Sequence, residues 1–259
     1  MNEHLEFAKT IAKQAGDIIR RNFGLSVNRE WKSDNTPLTA TDTAINQLVI
    51  DEVKKRFPEH GVLGEEDSFG TDREYVWVTD PIDGTMPFSH GIPASVFSIA
   101  LTTGGRSQVA VVCDPFTDRL YWAAKGEGAF VNGQPLHVNE QAELGPQVFI
   151  DVAAKFSFNG FDGLKILGSL LQADVRASKS FTAIYNALPV VTGQHAASIV
   201  LLEFPWDGAA ISLIATEAGG TVTDLHGNER LWDQNGDGFV ISNGVVHDQL
   251  LKIIANSRS

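Results

Sequence analysis

Tyr75-Val76-Trp77-Val78-Thr79-Asp80-Pro81-Ile82-Asp83-Gly84-Thr85 is the stretch on which the reading of this chain turns. Its first five residues are β-branched or aromatic and predict a strand, and Pro81, which has no N–H to give to a ladder, predicts that the strand stops there. Asp80 is thereby delivered to the C-terminal end of a strand, where sites are often built. Asp83 follows three positions on, so a tight turn can aim both carboxylates inward with the Ile82 carbonyl between them. These are hard oxygen donors suited to Mg²⁺. Gly84 lets the backbone approach a ligand closely, Thr85 supplies a hydroxyl, and a helical turn starting there would hold a phosphate on its free N–H groups. The competing reading is an Asx turn with Asp as its cap.

Two other clusters put carboxylates beside chain-reversing residues. Gly64-Glu65-Glu66-Asp67 sets three acids side by side; taken alone it reads as a solvated loop, because adjacent carboxylates repel one another. Trp206-Asp207-Gly208-Ala209-Ala210 places Asp207 at the expected N-cap of a small-residue helix, and Asp is among the best caps. Together with the first stretch they read differently, since a two-metal site needs a bridging carboxylate and ligands from distant segments.

Around these clusters the periodicity changes along the chain. Leu5 to Phe23 spaces Phe7, Ile11, Ala15, Ile18 and Ile19 as an amphipathic helix ended by Gly24, and Thr41 to Phe57 repeats the pattern with Pro58 closing it. Val96–Thr102, Gln108–Cys113 and Arg119–Ala124 read as strands, with turns at 114–118 and at Asn132-Gly133, giving a mostly antiparallel meander. Phe181 to Thr192, Gly208 to Ala218 and Val245 to Asn256 return to helical spacing. Helices, then a sheet, then mixed elements predict an α+β fold of layered helices and strands.

Composition narrows the function. A net charge of −12 argues against nucleic acid or an anionic membrane as partner, and it requires a cation between any anionic substrate and the carboxylates. Cys113 is the single cysteine, so no internal disulfide forms. The start of the chain has neither the basic nor the apolar region of a signal peptide, and no apolar run is long enough to span a bilayer, so a cytoplasmic location is expected.

In this order, Gly64-Glu65-Glu66, Asp80-Pro81-Ile82-Asp83-Gly84-Thr85 and Trp206-Asp207-Gly208-Ala209-Ala210 resemble the signatures of the inositol monophosphatase family. The resemblance extends through Lys32, Thr39-Ala40-Thr41-Asp42, Glu217-Ala218-Gly219-Gly220 and Ser242-Asn243-Gly244. It implies a layered αβαβα sandwich of the inositol monophosphatase and fructose-1,6-bisphosphatase type. One phosphatase domain is expected, divisible into a metal- and phosphate-binding lobe (about 1–145) and a substrate lobe (about 146–259) that contributes Asp207. The implied reaction is Mg²⁺-dependent hydrolysis of a small phosphorylated metabolite, commonly by a homodimer.

Carried onto this chain, the resemblance has Glu65, Asp80 and the Ile82 carbonyl hold one Mg²⁺ and Asp80, Asp83 and Asp207 a second, within a complement of two or three ions. Glu65 and Thr85, with Asp42 behind Thr85, would orient the attacking water, and the Gly84-Thr85 backbone would bind phosphate. Glu66, Lys32, His90 and Glu203 are expected around the ligands or on the substrate side. Inositol-directed members usually continue Thr-Asn-Phe after the threonine, where this chain has Met86-Pro87-Phe88, and Val200 stands where a substrate-contacting Glu is expected, with Glu203 the nearest replacement. Inositol monophosphate or a related polyol or sugar phosphate is the leading substrate. Histidinol phosphate, phosphoadenosine phosphate and fructose bisphosphate are the alternatives, and a catalytically silent binding protein is the alternative of another class.

Other motifs read as decoys. Asp233-Gln234-Asn235-Gly236-Asp237-Gly238 copies half of a calcium loop, but Gly244 stands where the bidentate Glu belongs and Phe239–Ser242 reads as a strand. Gly126-Glu127-Gly128 lacks the third glycine of a dinucleotide fingerprint, and no G-x-S-x-G elbow is present.

Overall fold

Two sheets form the frame of the computed structural model, which describes residues 2–258 apart from 26, 34, 155, 156, 181 and 203. The first sheet contains β1 (Gly61–Gly64), β2 (Ser68–Phe69), β3 (Tyr75–Asp83), β4 (Val96–Thr103), β5 (Arg106–Asp114), β6 (Arg119–Ala124), β7 (Ala129–Val131) and β8 (Gln134–Pro135). Their spatial order is β8-β7-β6-β5-β4-β3-β1-β2. From β3 to β8 every pair is antiparallel, the expected meander, while β1 lies parallel to β3. Asn132 and Gly133 both take positive φ (47° and 82°), the mirror-image turn whose twist suits a two-residue hairpin.

The expected end of β3 at Pro81 is corrected by the structure. The strand continues to Asp83, because its ladder with β4 slips between Asp80↔Ser98 and Asp83↔Val96, and Pro81 falls inside that irregularity, where its missing N–H has no partner to lose.

The helices are α1 (Asn2–Asn22), α2 (Ala40–Arg56), α3 (Thr85–Ser89), α4 (Gly163–Gln172), α5 (Ile184–Val191), α6 (Ala209–Glu217) and α7 (His247–Asn256). The second sheet contains β9 (Phe149–Ala154), β10 (Arg176–Ser180), β11 (Ala197–Leu201), β12 (Thr221–Thr223) and β13 (Phe239–Ser242), in the order β10-β9-β11-β13-β12. Here β9 is parallel to both neighbours and the remaining pairs are antiparallel.

Strand side chains alternate in direction, and this divides the core into three. On the first sheet Trp77, Ile99, Leu101, Val109 and Val111 pack with α1 and α2. Their neighbours Val78, Ala100, Ala110 and Val112 pack on the opposite side, with Ile184 and Ala187 of α5 and Ala210, Ile211 and Ile214 of α6. The same cluster takes in Ala153, Val200, Phe239 and Ile241 of the second sheet. That sheet's other face, with Ile150, Val152, Ile199 and Val240, meets Ile166 and Leu170 of α4 and Leu250 and Ile254 of α7. The layers therefore run α1/α2, sheet, α5/α6, sheet, α4/α7: the expected αβαβα sandwich.

The remaining sequence readings find their places in this frame. Residues 233–238 form a loop that leads directly into β13, as a calcium loop would not. The Gly126 and Gly128 amides both donate to the Glu217 carboxylate, at 2.8 and 2.9 Å, which gives Glu217 a structural task away from the acidic clusters. Among the described residues no helix is long and apolar enough to cross a membrane.

Candidate active site

Parallel pairing of β1 with β3 explains why two distant acidic clusters meet. Gly64 is in register with Thr79, so the next residues, Glu65 just past β1 and Asp80 within β3, stand side by side, and the Glu65 N–H donates to the Thr79 carbonyl at 3.3 Å. Only glycine fits at 64, where a Cβ would stand 2.3 Å from Asn46 Oδ1 and 2.6 Å from the Asp67 carbonyl. Beyond Asp83 the chain turns through Gly84 at φ 92°, and α3 begins at Thr85.

Asp207 arrives from the second half of the chain. It ends a short 3₁₀ turn, Pro205–Asp207, and the cap position of α6 belongs to Gly208, with no side-chain cap bond. The capping role expected for Asp207 is thus not taken up, and its side chain lines the same cavity as the other acids. Gly208 keeps this approach open, since a Cβ there would come within 2.3 Å of the Trp232 ring.

The cavity, of about 470 Å³, is lined by Glu65, Asp80, Ile82, Asp83, Gly84, Thr85 and Asp207 together with Lys32. Asp80 is 3% exposed, and its Oδ1 accepts from the Ile82 amide at 2.9 Å, so the Asx-turn reading is also correct for that oxygen. Burial first, then the charges of Glu65, Asp83 and Asp207, push its pKa well above the ordinary value. Asp83 is raised to about 6 by burial, against the pull of three backbone amides, those of Ala183, Ile184 and Tyr185, which donate to its two oxygens at 2.9, 3.1 and 2.8 Å.

Thr85 Oγ1 lies 3.1 Å from Asp42 Oδ1 and 3.0 Å from the Ile82 carbonyl. Asp42 Oδ2 closes the capping box of α2 with the Thr39 amide (2.9 Å) and hydroxyl (2.5 Å), leaving Oδ1 for Thr85. Fully buried, Asp42 is raised to about 6. Lys32 Nζ bridges Glu65 Oε1 (2.9 Å) and Glu66 Oε1 (2.7 Å). Burial lowers the Lys32 ammonium, but the two glutamates outweigh it and hold its pKa raised. Glu66 is raised to about 7 by burial and by the adjacent Glu65 charge.

Not every expected residue is brought in. His90 is exposed at the end of α3, its Nδ1 2.8 Å from the Met86 carbonyl and outside the cavity lining. The chain reversal after a five-residue helix turns that ring back on its own backbone. Val200 is a fully buried core residue of β11. Glu203 lies outside the described residues. Asn35, Thr36, Pro37, Ser180, Leu202 and Phe204 line the cavity without having been singled out from sequence. For Phe204 the aromatic pair flanking Pro205, just ahead of Asp207, was an available signal; for Ser180 there was none.

The donor set suits a hard divalent cation: four carboxylates and a carbonyl from three chain segments face one cavity, with Lys32 the one cation among its lining residues. Among the described residues, the acids are not yet gathered into a finished ion cage. Glu65 Oε1 is engaged by Lys32, and both oxygens of Asp83 accept from the first turn of α5, which leaves lone pairs on each carboxylate for an ion.

An acidic cavity of this kind, at the strand ends of an αβαβα sandwich, can take up cations that offset the charge of a phosphate ester. The family model described as "Inositol monophosphatase family" matches residues 1–259. Among curated relatives, a fructose-1,6-bisphosphatase/inositol-1-monophosphatase of Thermotoga maritima is 31% identical over 254 residues, covering 97% of this chain and 96% of that protein. A histidinol-phosphatase of Chlorobaculum parvum is 31% identical over 258 residues, covering 99% and 98%. The solved structure of a Thermotoga maritima IMPase superposes with a TM-score of 0.88 at 30% identity, covering 98% of each chain. The chain belongs to the inositol monophosphatase family.

Proposed function

We propose that this chain is a Mg²⁺-dependent phosphomonoesterase that hydrolyses a small phosphorylated metabolite with water as the nucleophile. The observation that carries the reading is the convergence of Glu65, Asp80, Asp83 and Asp207 on one cavity whose lining holds a single ammonium. A phosphate dianion enters such a field only when cations offset it. Glu65, Asp80 and the Ile82 carbonyl would hold one ion and Asp80, Asp83 and Asp207 a second, Asp80 being shared. Once bound, two or three ions offset charge on the phosphate oxygens and lower the pKa of water.

The chain's own groups supply position and proton handling. Thr85 Oγ1 has one hydrogen to give, and Asp42 Oδ1 and the Ile82 carbonyl both stand ready to accept it. Its lone pairs are then free to receive a hydrogen from the attacking water, and Glu65 fixes the other side of that water. Asp42, raised to about 6, titrates near the pH at which a proton must be passed on. The free N–H groups of Gly84 and Thr85 at the start of α3 bind the phosphate.

Inositol monophosphate and sugar phosphates are the first substrates to test and histidinol phosphate the next, by an enzyme expected as a cytoplasmic homodimer. The test is phosphate release from these esters in Mg²⁺ and in EDTA. Release that requires Mg²⁺ supports the reading, and folded protein that releases none in Mg²⁺ refutes it.

A further inference from the structure

We infer that Met86, Leu202, Phe204 and Trp206, with the Ser180 hydroxyl, form a leaving-group subsite for phosphate monoesters whose alcohol carries a nitrogen heteroaromatic ring. The inference rests on the phosphatase reading above and places a heteroaromatic alcohol ahead of the polyols named first there. The four apolar side chains line the cavity that holds the carboxylates. Phe204 and Trp206 are stacked, with centroids 4.7 Å apart and planes at 10°, and both are half-buried, so ring surface stays accessible. A polyol placed here would find Ser180 as the one hydroxyl-bearing side chain of the five, so most of its own hydroxyls would lose water without regaining hydrogen bonds, which costs free energy. A flat ring would bury its apolar faces and stack on the pair.

Ser180 adds a directional contact. Its hydroxyl is 2.6 Å from Asp151 Oδ2, while Ser178 donates to Asp151 Oδ1 at 2.5 Å. Asp151 is 2% exposed on β9, and Ser178 and Ser180 both belong to the adjoining β10. An ionised carboxylate only accepts, so it takes the hydroxyl hydrogen of each serine. The alternative acceptor for Ser180, the Thr182 carbonyl, is at 3.4 Å and competes poorly. Ser180 therefore offers the cavity lone pairs alone and selects a substrate N–H or O–H donor. A ring N–H or ring amine carries such a donor in the same rigid plane that the aromatic pair grips. Asp151 is a positioning residue, acting through Ser180.

The test is kcat/KM in Mg²⁺ for four esters: inositol 1-phosphate, glycerol 2-phosphate, histidinol phosphate and adenosine 2′-monophosphate. At least one heteroaromatic ester is expected at tenfold or more above both polyol esters. Phe204→Leu and Ser180→Ala should each raise KM for that ester about fivefold while leaving its kcat and the KM of glycerol 2-phosphate within twofold. Asp151→Asn, checked for an unchanged melting temperature, should reproduce the Ser180→Ala split. Polyol esters turned over as well as the heteroaromatic ones, or a KM rise shared by both classes, would overturn the subsite. Failure of all four esters in Mg²⁺ would instead remove the phosphatase reading, and the subsite with it.

Discussion

Asp83 Oδ1 accepts a hydrogen bond from the Ala183 amide at 2.9 Å, tying the end of β3 to the first turn of α5 across 100 positions of chain. Ala183 occupies the cap position of α5 and has no side chain able to cap it; the Asp83 carboxylate supplies the missing acceptor from another layer of the sandwich. The carboxylate expected to hold an ion is therefore also a structural joint between the first sheet and the central helices.

Replacing Asp83 with Asn should expose both tasks. Asn keeps one carbonyl oxygen and turns an NH₂ group toward amides that need acceptors, so metal-free protein should lose about 1–3 kcal/mol. The Mg²⁺-dependent rise in melting temperature should shrink as well. Thermal unfolding in EDTA and in Mg²⁺ measures the two effects separately, and an unchanged metal-free melting temperature would remove the joint.

Thr85→Ala should lower kcat by about 10²- to 10⁴-fold, the usual range for a group that handles a proton, with KM little changed. Thr85→Ser keeps the hydroxyl that faces Asp42 and should recover most of the rate. A Thr85→Ala enzyme with near-native kcat would show that the water is positioned by other groups.

The raised carboxylates give the metal effect a pH dependence of definite sign. Asp42 and Asp83 are raised to about 6 and Glu66 to about 7, each first by burial. A folded-state pKa above the unfolded one contributes stability below the unfolded value, near 4, and that contribution is lost as pH rises through 6 to 7. Over that window the metal-free site gains uncompensated charge, while proton competition with Mg²⁺ disappears. The difference in melting temperature between Mg²⁺ and EDTA should therefore be larger at pH 8 than at pH 5.5. The half-buried His195 and the buried His247, both lowered by desolvation, shift absolute stability the opposite way, but they lie outside the cavity lining and contribute equally with and without metal. An equal metal effect at both pH values would argue against this linkage.

What the sequence discloses follows from which constraints are local. The α1 and α2 stripes, the Asn132-Gly133 turn and the acid-bearing turn at Asp80–Thr85 are each written in adjacent residues, and all were readable. In the second sheet Phe239–Ser242 was read as a strand, while β9 and β11 were missed. Both are buried on both faces, so Ile150, Val152 and Ile199 show no alternation, and their parallel pairing joins segments far apart in sequence. The bond from Asp83 to α5 and the support of Ser180 by Asp151 are equally illegible, because each depends on a register that no local pattern encodes. Thr39-Ala40-Thr41-Asp42 is an intermediate case: its spacing yields a capping box, and only the tertiary fold adds Thr85.

Gly84→Ala should damage the fold and the site together, and a matched control can separate the causes. Gly84 sits at φ 92°, and a Cβ there would stand 2.7 Å from both the Ala94 carbonyl oxygen and Thr182 Cγ2. Gly104 also has positive φ, at 55°, but a Cβ there meets nothing within 4 Å. Alanine at Gly104 then reports the left-handed backbone penalty alone, about 1–2 kcal/mol. At Gly84 the same penalty is joined by a clash with backbone that cannot move without shifting Thr85, whose hydroxyl and N–H the proposed mechanism uses. In a chain of this size each kcal/mol lowers the melting temperature by roughly 2–4 °C. Gly84→Ala should therefore melt clearly below Gly104→Ala and lose turnover, whereas Gly104→Ala should keep it. Equal melting temperatures for the two variants would mean that the turn into α3 relaxes around an added methyl group and that close approach is not why glycine stands at 84.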